Sequence, residues 1–390
     1  MTPRVPEPAT DIQHAGLARR HLLPSDPIAG LRSGVGALIT IYLNRPGPGG
    51  MAALLTDLLK PVRDEAERIG GFVRKSVRAD ATRIHELANQ LEGDVAPAFA
   101  IFAADVDGLF VLQPLAYSVP NVSTLGPRPY LRPLRAAPRP LRAGIIVADR
   151  ASARIFIGSD DLVEELAAYS VDIGKPNYGG FGGYEEHNAR AHAGEETNRM
   201  WKEAGAALLE RHLDRSFDYL AVGAQEGSAE EIGRTLHPYL ARLHRATFRA
   251  SPHTLTPASL RSHIAELQLE MRHQQEAELA ERVCSTALGG GLAVLGLTGT
   301  LRACNAQSVE SLVVAGPFTM PGVICNQCGF LARTGDVCPI SSDPMFPVED
   351  VVAAAMDATV GSGGTVRQIE VASPLDVEGI GALTRFPVVV

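Results

Sequence analysis

The sequence predicts three small α/β domains in succession, on three observations. At 390 residues the chain is too long for one ordinary core, since domains run to roughly 100–200 residues. Short β-branched runs alternate with stretches of helical periodicity along most of its length, the pattern of sheets covered by helices. Two seams interrupt that alternation: a Pro/Arg-rich segment at 126–142 and the triplet Gly289-Gly290-Gly291. We divide the chain at 1–140, 141–272 and 273–390.

Composition narrows the function classes. Apolar residues make up 45% and charged residues 21%, which is ordinary for an ordered globular protein. Aromatics are only 5%, with Trp201 the single tryptophan, so the cores must rest on Leu, Val, Ile and Ala. A net charge of −8 excludes non-specific coating of nucleic acid by a global positive field; RNA contact must come from local basic patches. The start, MTPRVPEPATDIQHAGLARRHLLPSD, has no continuous apolar segment of a secretory signal. There is also no apolar run of the roughly 18 residues a membrane helix needs. Five cysteines, an odd number, fit reduced thiols or metal ligation better than disulfides. The expectation is a cytoplasmic protein with no membrane partner.

The elements follow in order. Val35–Leu43 reads as a buried strand ended by the turn Asn44-Arg45-Pro46-Gly47. Helical spacing covers Met51–Ile69 and Asp80–Leu91. Ala98–Ala103 and Gly108–Leu112 read as strands joined at Asp107-Gly108, a hairpin signal. The seam GPRPYLRPLRAAPRPLR carries Arg128, Arg132, Arg135, Arg139 and Arg142 without an acid. Its prolines exclude a helix interior and point to a linker or sheet edge. Beyond it, GIIVADRASARIFIG gives two strands and Leu166–Ile173 a third. A helix over Glu186–Leu213, a strand over Phe217–Val222 and a helix over Pro257–Val283 follow. After the glycine triplet come a helix at Thr298–Asn305, a strand at Ser311–Val314, a helix at Val348–Val360, and strands at Thr365–Val371 and Ile380–Phe386.

Three features carry candidate chemistry. The stretch from Gly174, GKPNYGGFGGYEEHNARAHAGEETNRMWKEAG, holds Gly179, Gly180, Gly182 and Gly183 around Phe181 and before Tyr184. Such a run permits positive φ and close backbone approach, but it lacks the Gly-Lys-Ser/Thr ending of a phosphate loop. Its helix carries Arg190, Arg199 and Lys202 among acids, and on its own reads equally as a solvated face with i,i+4 pairs such as Glu195 with Arg199. His187 and His192 stand five apart and read as surface residues rather than zinc ligands. Cys325-Asn-Gln-Cys328-Gly, with Cys338 beyond, has the spacing of a zinc knuckle. A fourth ligand is missing unless Asp336 or Asp343 serves, and a metal-free knuckle is the equal alternative. The arginine seam reads either as a phosphate-binding surface or as ordinary surface charge. No G-x-S-x-G elbow and no H-E-x-x-H occurs.

The order of these parts resembles the archaeal and eukaryotic class-1 peptide release factors and their relative pelota, and more closely the bacterial archaeo-eukaryotic release factor family. The resemblance is carried by RAGIIVADRASARIFIG, by Gly182-Gly183 with Glu195-Glu196 in the following helix, and by the C-terminal series GLAVLG, SVESLVVAG, CNQCG and GIGALTRF. It implies an RNase H-like middle domain, a C-terminal domain like kink-turn-binding ribosomal proteins, and a glycine loop that reaches the peptidyl-transferase centre. It implies as partners the ribosome with its ribosomal RNA, peptidyl-tRNA and a translational GTPase, for a chain expected to be monomeric off the ribosome. Gly179, Gly180, Phe181, Gly182, Gly183, Tyr184, Arg190, Arg199 and Lys202 would face RNA. The cysteine knuckle matches in place, with Cys325, Cys328 and Cys338 the metal candidates and zinc or a metal-free turn still the two readings. The family's loop carries glutamine after its glycine pair; here Phe181 and Tyr184 stand in those places. No Asn-Ile-Lys-Ser motif is present for stop-codon reading. Two functions follow: a binding factor for stalled or idle ribosomes, in hibernation or rescue, and a peptidyl-tRNA hydrolase whose catalytic candidates are Gly182, Gly183 and Tyr184.

Overall fold

In the computed structural model, residues 28–115, 117–136, 141–159, 162–172, 183–214, 217–225 and 227–388 are described, 183–191 by backbone alone. They fall into two compact units: residues 1–137, 290–368 and 378–390 in one, 138–289 and 369–377 in the other.

The first unit begins with β1 (Leu38–Asn44), α1 (Met51–Ile69), α2 (Gly71–Glu86), α3 (Ala88–Gly93), β2 (Ala98–Ala104), β3 (Leu109–Leu115), β4 (Val122–Gly126) and α4 (Arg132–Ala136). Its four strands pair in the order β3-β2-β1-β4, and β1 is antiparallel to both β2 and β4. β1 is apolar without alternation because both its faces are covered. Ile39, Ile41 and Leu43 pack with Leu55, Leu59, Val77 and Ile84 of α1 and α2. Tyr42, with Phe102 of β2, packs on the other face with Leu131 and Leu134. Gly108 closes the predicted hairpin at φ 65°, a left-handed value that glycine adopts without steric cost. The helix expected at Asp80–Leu91 instead spans α2 and α3. Its apolar series extends back to Val73, and the chain breaks at Leu87.

The second unit contains β5 (Ala143–Ala148), β6 (Ser152–Gly158), β7 (Val163–Ser170), α5 (Gly183–Leu213), β8 (Tyr219–Ala224), α6 (Ser228–Thr235), α7 (Pro238–Leu243), β9 (His244–Arg249) and α8 (Pro257–Leu288). The sheet order is β7-β6-β5-β8-β9. The first three strands are antiparallel, while β5, β8 and β9 run parallel. One face is covered by α5 through Met200, Trp201, Ala204 and Leu208, the other by Leu260 and Ile264 of α8. Thr256 opens α8 with a reciprocal capping box to Ser259.

The first unit is completed by β10 (Ala293–Leu295), α9 (Gly296–Asn305), β11 (Val309–Ala315), β12 (Gly322–Cys325), β13 (Leu331–Ala332), β14 (Met345–Val348), α10 (Val351–Gly361), β15 (Thr365–Ile369) and β16 (Ile380–Thr384). One sheet runs β10-β16-β11-β15 and a second, small one β13-β12-β14. The core between the larger sheet and its helices gathers Leu301, Leu312, Val314, Val352, Met356, Ile380 and Ala382. The small sheet, which carries the cysteines, is absent from the sequence reading: its strands of two to four residues are too short to show a period. Among the described residues no helix is long and apolar enough to cross a membrane.

Candidate functional site

Gly179, Gly180, Phe181 and Gly182 lie outside the described residues. Gly183 opens α5, and Tyr184 and Arg190 belong to that helix by backbone. The first buried residue described along α5 is Thr197, whose hydroxyl donates to the Arg150 carbonyl at 2.8 Å. Trp201 Nε1 donates to the Asp149 carbonyl at 2.9 Å. At 1.5 Å per residue the helix start lies roughly 20 Å from Thr197. Arg199 and Lys202 are exposed. Arg199 pairs with Glu196 and lies 4.0 Å from Glu203; the expected pair with Glu195 gives way to the i,i+3 partner. Acids on the same face thus partly offset the cationic character of Arg199.

The knuckle is assembled by the turn between β12 and β13 and by the loop before β14. The sulfurs of Cys325, Cys328 and Cys338 lie within 4.8 Å of one another, and Cys328 and Cys338 are 3.5 Å apart. A tetrahedral zinc with bonds of about 2.3 Å separates its sulfurs by roughly 3.8 Å, so the donor set fits that ion. Cys325 is held below the ordinary thiol range by hydrogen bonds from Ser341 and from the Cys328 and Gln327 amides. At Cys338 burial opposes ionisation, but hydrogen bonds from the Ser341 side chain and the Ser341 and Ile340 amides prevail, bringing it to about 6. The geometry therefore favours thiolate, the ligating form, at Cys325 and Cys338. At Cys328 the hydrogen bond from the Phe330 amide is outweighed by burial and by the hydrogen bonds with the Cys338 and Cys325 sulfurs, which raise the thiol. Among the described residues no carboxylate joins the sulfurs within that distance. Asp343 and Asp336 instead give their backbone carbonyls to the Cys338 and Met345 amides. Ser341 Oγ, 3.3 Å from Cys325 Sγ, is the polar neighbour that sequence spacing did not single out.

The arginine seam has a different fate from its phosphate-binding reading. Arg132 is buried and its Nη1 lies 2.9 Å from Asp350 Oδ2. Tyr130 donates to the same carboxylate oxygen at 3.2 Å. Asp350 Oδ1 meanwhile caps α10 by accepting from the Val352 and Ala353 amides. Arg135 Nε lies 3.1 Å from Asp357 Oδ1, and Arg128 donates to the Asn326 carbonyl inside the knuckle turn at 3.0 Å. These guanidiniums hold the first unit together. Arg139 lies outside the described residues, and Arg142 is exposed at the start of the second unit.

One further cluster invites a catalytic reading and does not support it. His253 Nε2 is 3.4 Å from both Asp149 Oδ2 and Ser152 Oγ. A triad needs one imidazole nitrogen for the acid and the other for the nucleophile; here a single nitrogen faces both.

No protein-family model matches the chain, and no curated protein matches it. Among solved structures it is similar to Pelota of Archaeoglobus fulgidus, at 15% identity over 75% of this chain and 80% of that one, with a TM-score of 0.35. The archaeal translation termination factor aRF1 gives 14% over 92% and 95%, with a TM-score of 0.25. Dom34 of S. cerevisiae, a translation termination-like factor involved in RNA quality control pathways and interacting with Hbs1, gives 10% over 74% and 81%, with a TM-score of 0.37. At scores below 0.5 none of them superposes on the whole chain. Solved chains to which this one is similar thus include an archaeal translation termination factor, an archaeal Pelota and a yeast translation termination-like factor.

Proposed function

We propose that this protein is a ribosome-binding translation factor of the release-factor and pelota type. It acts on stalled or idle ribosomes, with the Gly179–Tyr184 stretch presented to the peptidyl-transferase centre. The observation that carries the reading is the junction at Gly183: a glycine-rich stretch runs directly into a 31-residue helix. That helix is fixed to its sheet only from Thr197 onward among the residues described. A long helix that starts about 20 Å along its axis from Thr197 is a means of carrying a loop away from the domain body. The sheet order β7-β6-β5-β8-β9 supports reading that unit as RNase H-like. Tyr184, in the place of glutamine after Gly182-Gly183, favours occupancy over peptidyl-tRNA hydrolysis. Cys325, Cys328 and Cys338 hold a zinc ion that closes the knuckle. Delivery by a translational GTPase, a monomeric state off the ribosome and a cytoplasmic site of action belong to the same reading.

The test is co-sedimentation with ribosomes, followed by incubation with ribosomes carrying peptidyl-tRNA. The protein pellets with ribosomes, Gly182→Ala with Gly183→Ala weakens that association, and no peptide is released. Peptide release that disappears in the double variant establishes the hydrolase instead. A protein that stays in the supernatant at low salt is not a ribosome factor.

A further inference from the structure

The chain contains a second acid-free basic run. Between Glu231 and Glu266 there is no Asp or Glu, while Arg234, Arg242, Arg245, Arg249 and Arg261 occur with four histidines. The sequence criterion is the one the arginine seam satisfied, but the structure treats the two runs in opposite ways. Asp350 and Asp357 neutralise Arg132 and Arg135 of the seam. Around β9 no carboxylate comes within 4 Å of Arg242, Arg245 or Arg249 among the described residues, and all three are exposed.

Their placement is regular. β9 is an edge strand, paired only with β8, and Arg245, Thr247 and Arg249 alternate along one face of it, all exposed. At about 3.3 Å per residue the two arginines stand roughly 13 Å apart with a hydroxyl between them. Arg242 extends the row from the last turn of α7. Arg245 Nη1 donates only to the Arg242 and His244 carbonyls, which fixes the side chain without neutralising it.

Beside this edge, past the C-terminal end of β8 and along β9 from His244 to Arg249, lies a cleft of about 740 Å³. Apolar Leu236 and Phe248 and polar Gln225, His244, Thr247 and Arg249 contribute to its walls. The acid among its described lining residues, Glu230, is 3.5 Å from Arg234.

We infer that the β9 edge binds single-stranded RNA, with phosphates on Arg242, Arg245 and Arg249 and one unstacked base in the adjoining cleft. Guanidiniums recognise phosphate bidentately, and a neighbouring pocket for a flat ring is how single strands are distinguished from duplex. An acidic protein segment adding a strand to β9 is the competing occupant. The row of cations and hydroxyl favours phosphates, because added strands are read through alternate side-chain pockets. The inference does not rest on the glycine loop.

The experiment is fluorescence anisotropy of the full chain with a labelled single-stranded RNA of about a dozen nucleotides, titrated between about 50 and 200 mM salt. The unchanged protein binds, and a duplex of the same length binds more weakly. Arg242→Gln/Arg245→Gln/Arg249→Gln loses at least about tenfold in affinity, and its salt slope falls by about two, at roughly 0.7 per phosphate contact. Arg249→Gln alone, should the triple variant melt early, lowers the slope by about 0.7. Arg74→Gln/Arg78→Gln, whose arginines face Glu67, leaves binding unchanged. Equal affinity of the triple variant, an equal loss in the control, equal binding of duplex, or binding of polyglutamate but not RNA would each overturn the inference. Free RNA is the probe, so its failure leaves the ribosome reading standing, and failure to pellet with ribosomes leaves this one standing.

Discussion

Asp80 sits fully buried on α2, its Oδ2 accepting from the Asp105 amide at 2.9 Å and lying 3.4 Å from Ser76 Oγ. Ser76 in turn accepts from the Val106 amide, so the two side chains fasten the turn between β2 and β3. Burial pushes the Asp80 carboxyl from 3.8 up to about 6, against the hydrogen bond from Asp105. A folded value above the unfolded one means its favourable contribution is complete below pH 3.8 and is lost as pH rises through about 6. Asp80→Asn keeps an acceptor and removes the titration. The difference in Tm between variant and wild type therefore rises across that window; a flat difference in thermal melts from pH 4 to pH 7 counts against this assignment. Gly379 is a second residue with no latitude. It has φ +71° and its missing Cβ would overlap the Phe318 ring. Gly379→Ala costs about 2–4 kcal/mol in denaturant unfolding, whereas Gly290→Ala, at similar φ but with open space around it, costs about 1 kcal/mol.

Taken as an element, the β12–β14 sheet is too small for a core of its own: Ile324 and Leu331 join the core of the larger sheet, and a separate cluster holds just Cys325, Cys338 and Met345 as buried residues. A metal would supply what apolar burial does not. Elemental analysis of protein purified without added metal is expected to give one zinc per chain. Chelation or Cys328→Ser lowers Tm, and absence of zinc together with an unchanged Tm in the variant returns the knuckle to its metal-free alternative. The CxxC spacing made this element legible before its strands were, because ligand chemistry leaves a signature in a few residues while strands this short leave none. The long elements were legible for the opposite reason. α1 starts and stops where its 3.6-residue period does, at Met51 and Ile69. β9 alternates between half-buried and exposed because it lies at a sheet edge, and so many of its positions are polar that it shows no apolar run.

On the scale of the molecule, the first unit joins segments more than 200 residues apart, and the Arg132–Asp350 pair bridges them. A buried pair is weak evidence for stability as such, but removing one partner strands the other charge, at about 3–5 kcal/mol. Arg132→Ala therefore lowers the unfolding free energy of the first unit by about that amount, while Arg142→Ala, at an exposed site, changes it by less than about 0.5 kcal/mol. Chemical denaturation followed by hydrogen exchange at β1 and β16 measures both. Equal effects would show that the seam does not hold the unit together.

Local order is legible in the chain alone: the long strands and helices, the hairpin at Asp107-Gly108, the cysteine knuckle, and a glycine stretch ahead of a charged helix. These depend on side-chain period, backbone freedom and ligand spacing, all written within a few neighbouring residues. Which arginines keep their charge unopposed follows from long-range packing. Arg132 and Arg135 look as unopposed in the sequence as Arg245 and Arg249 do, because a charge is neutralised by whatever lies within a few ångströms, and for the seam those carboxylates come from α10 and its cap, more than 200 residues away.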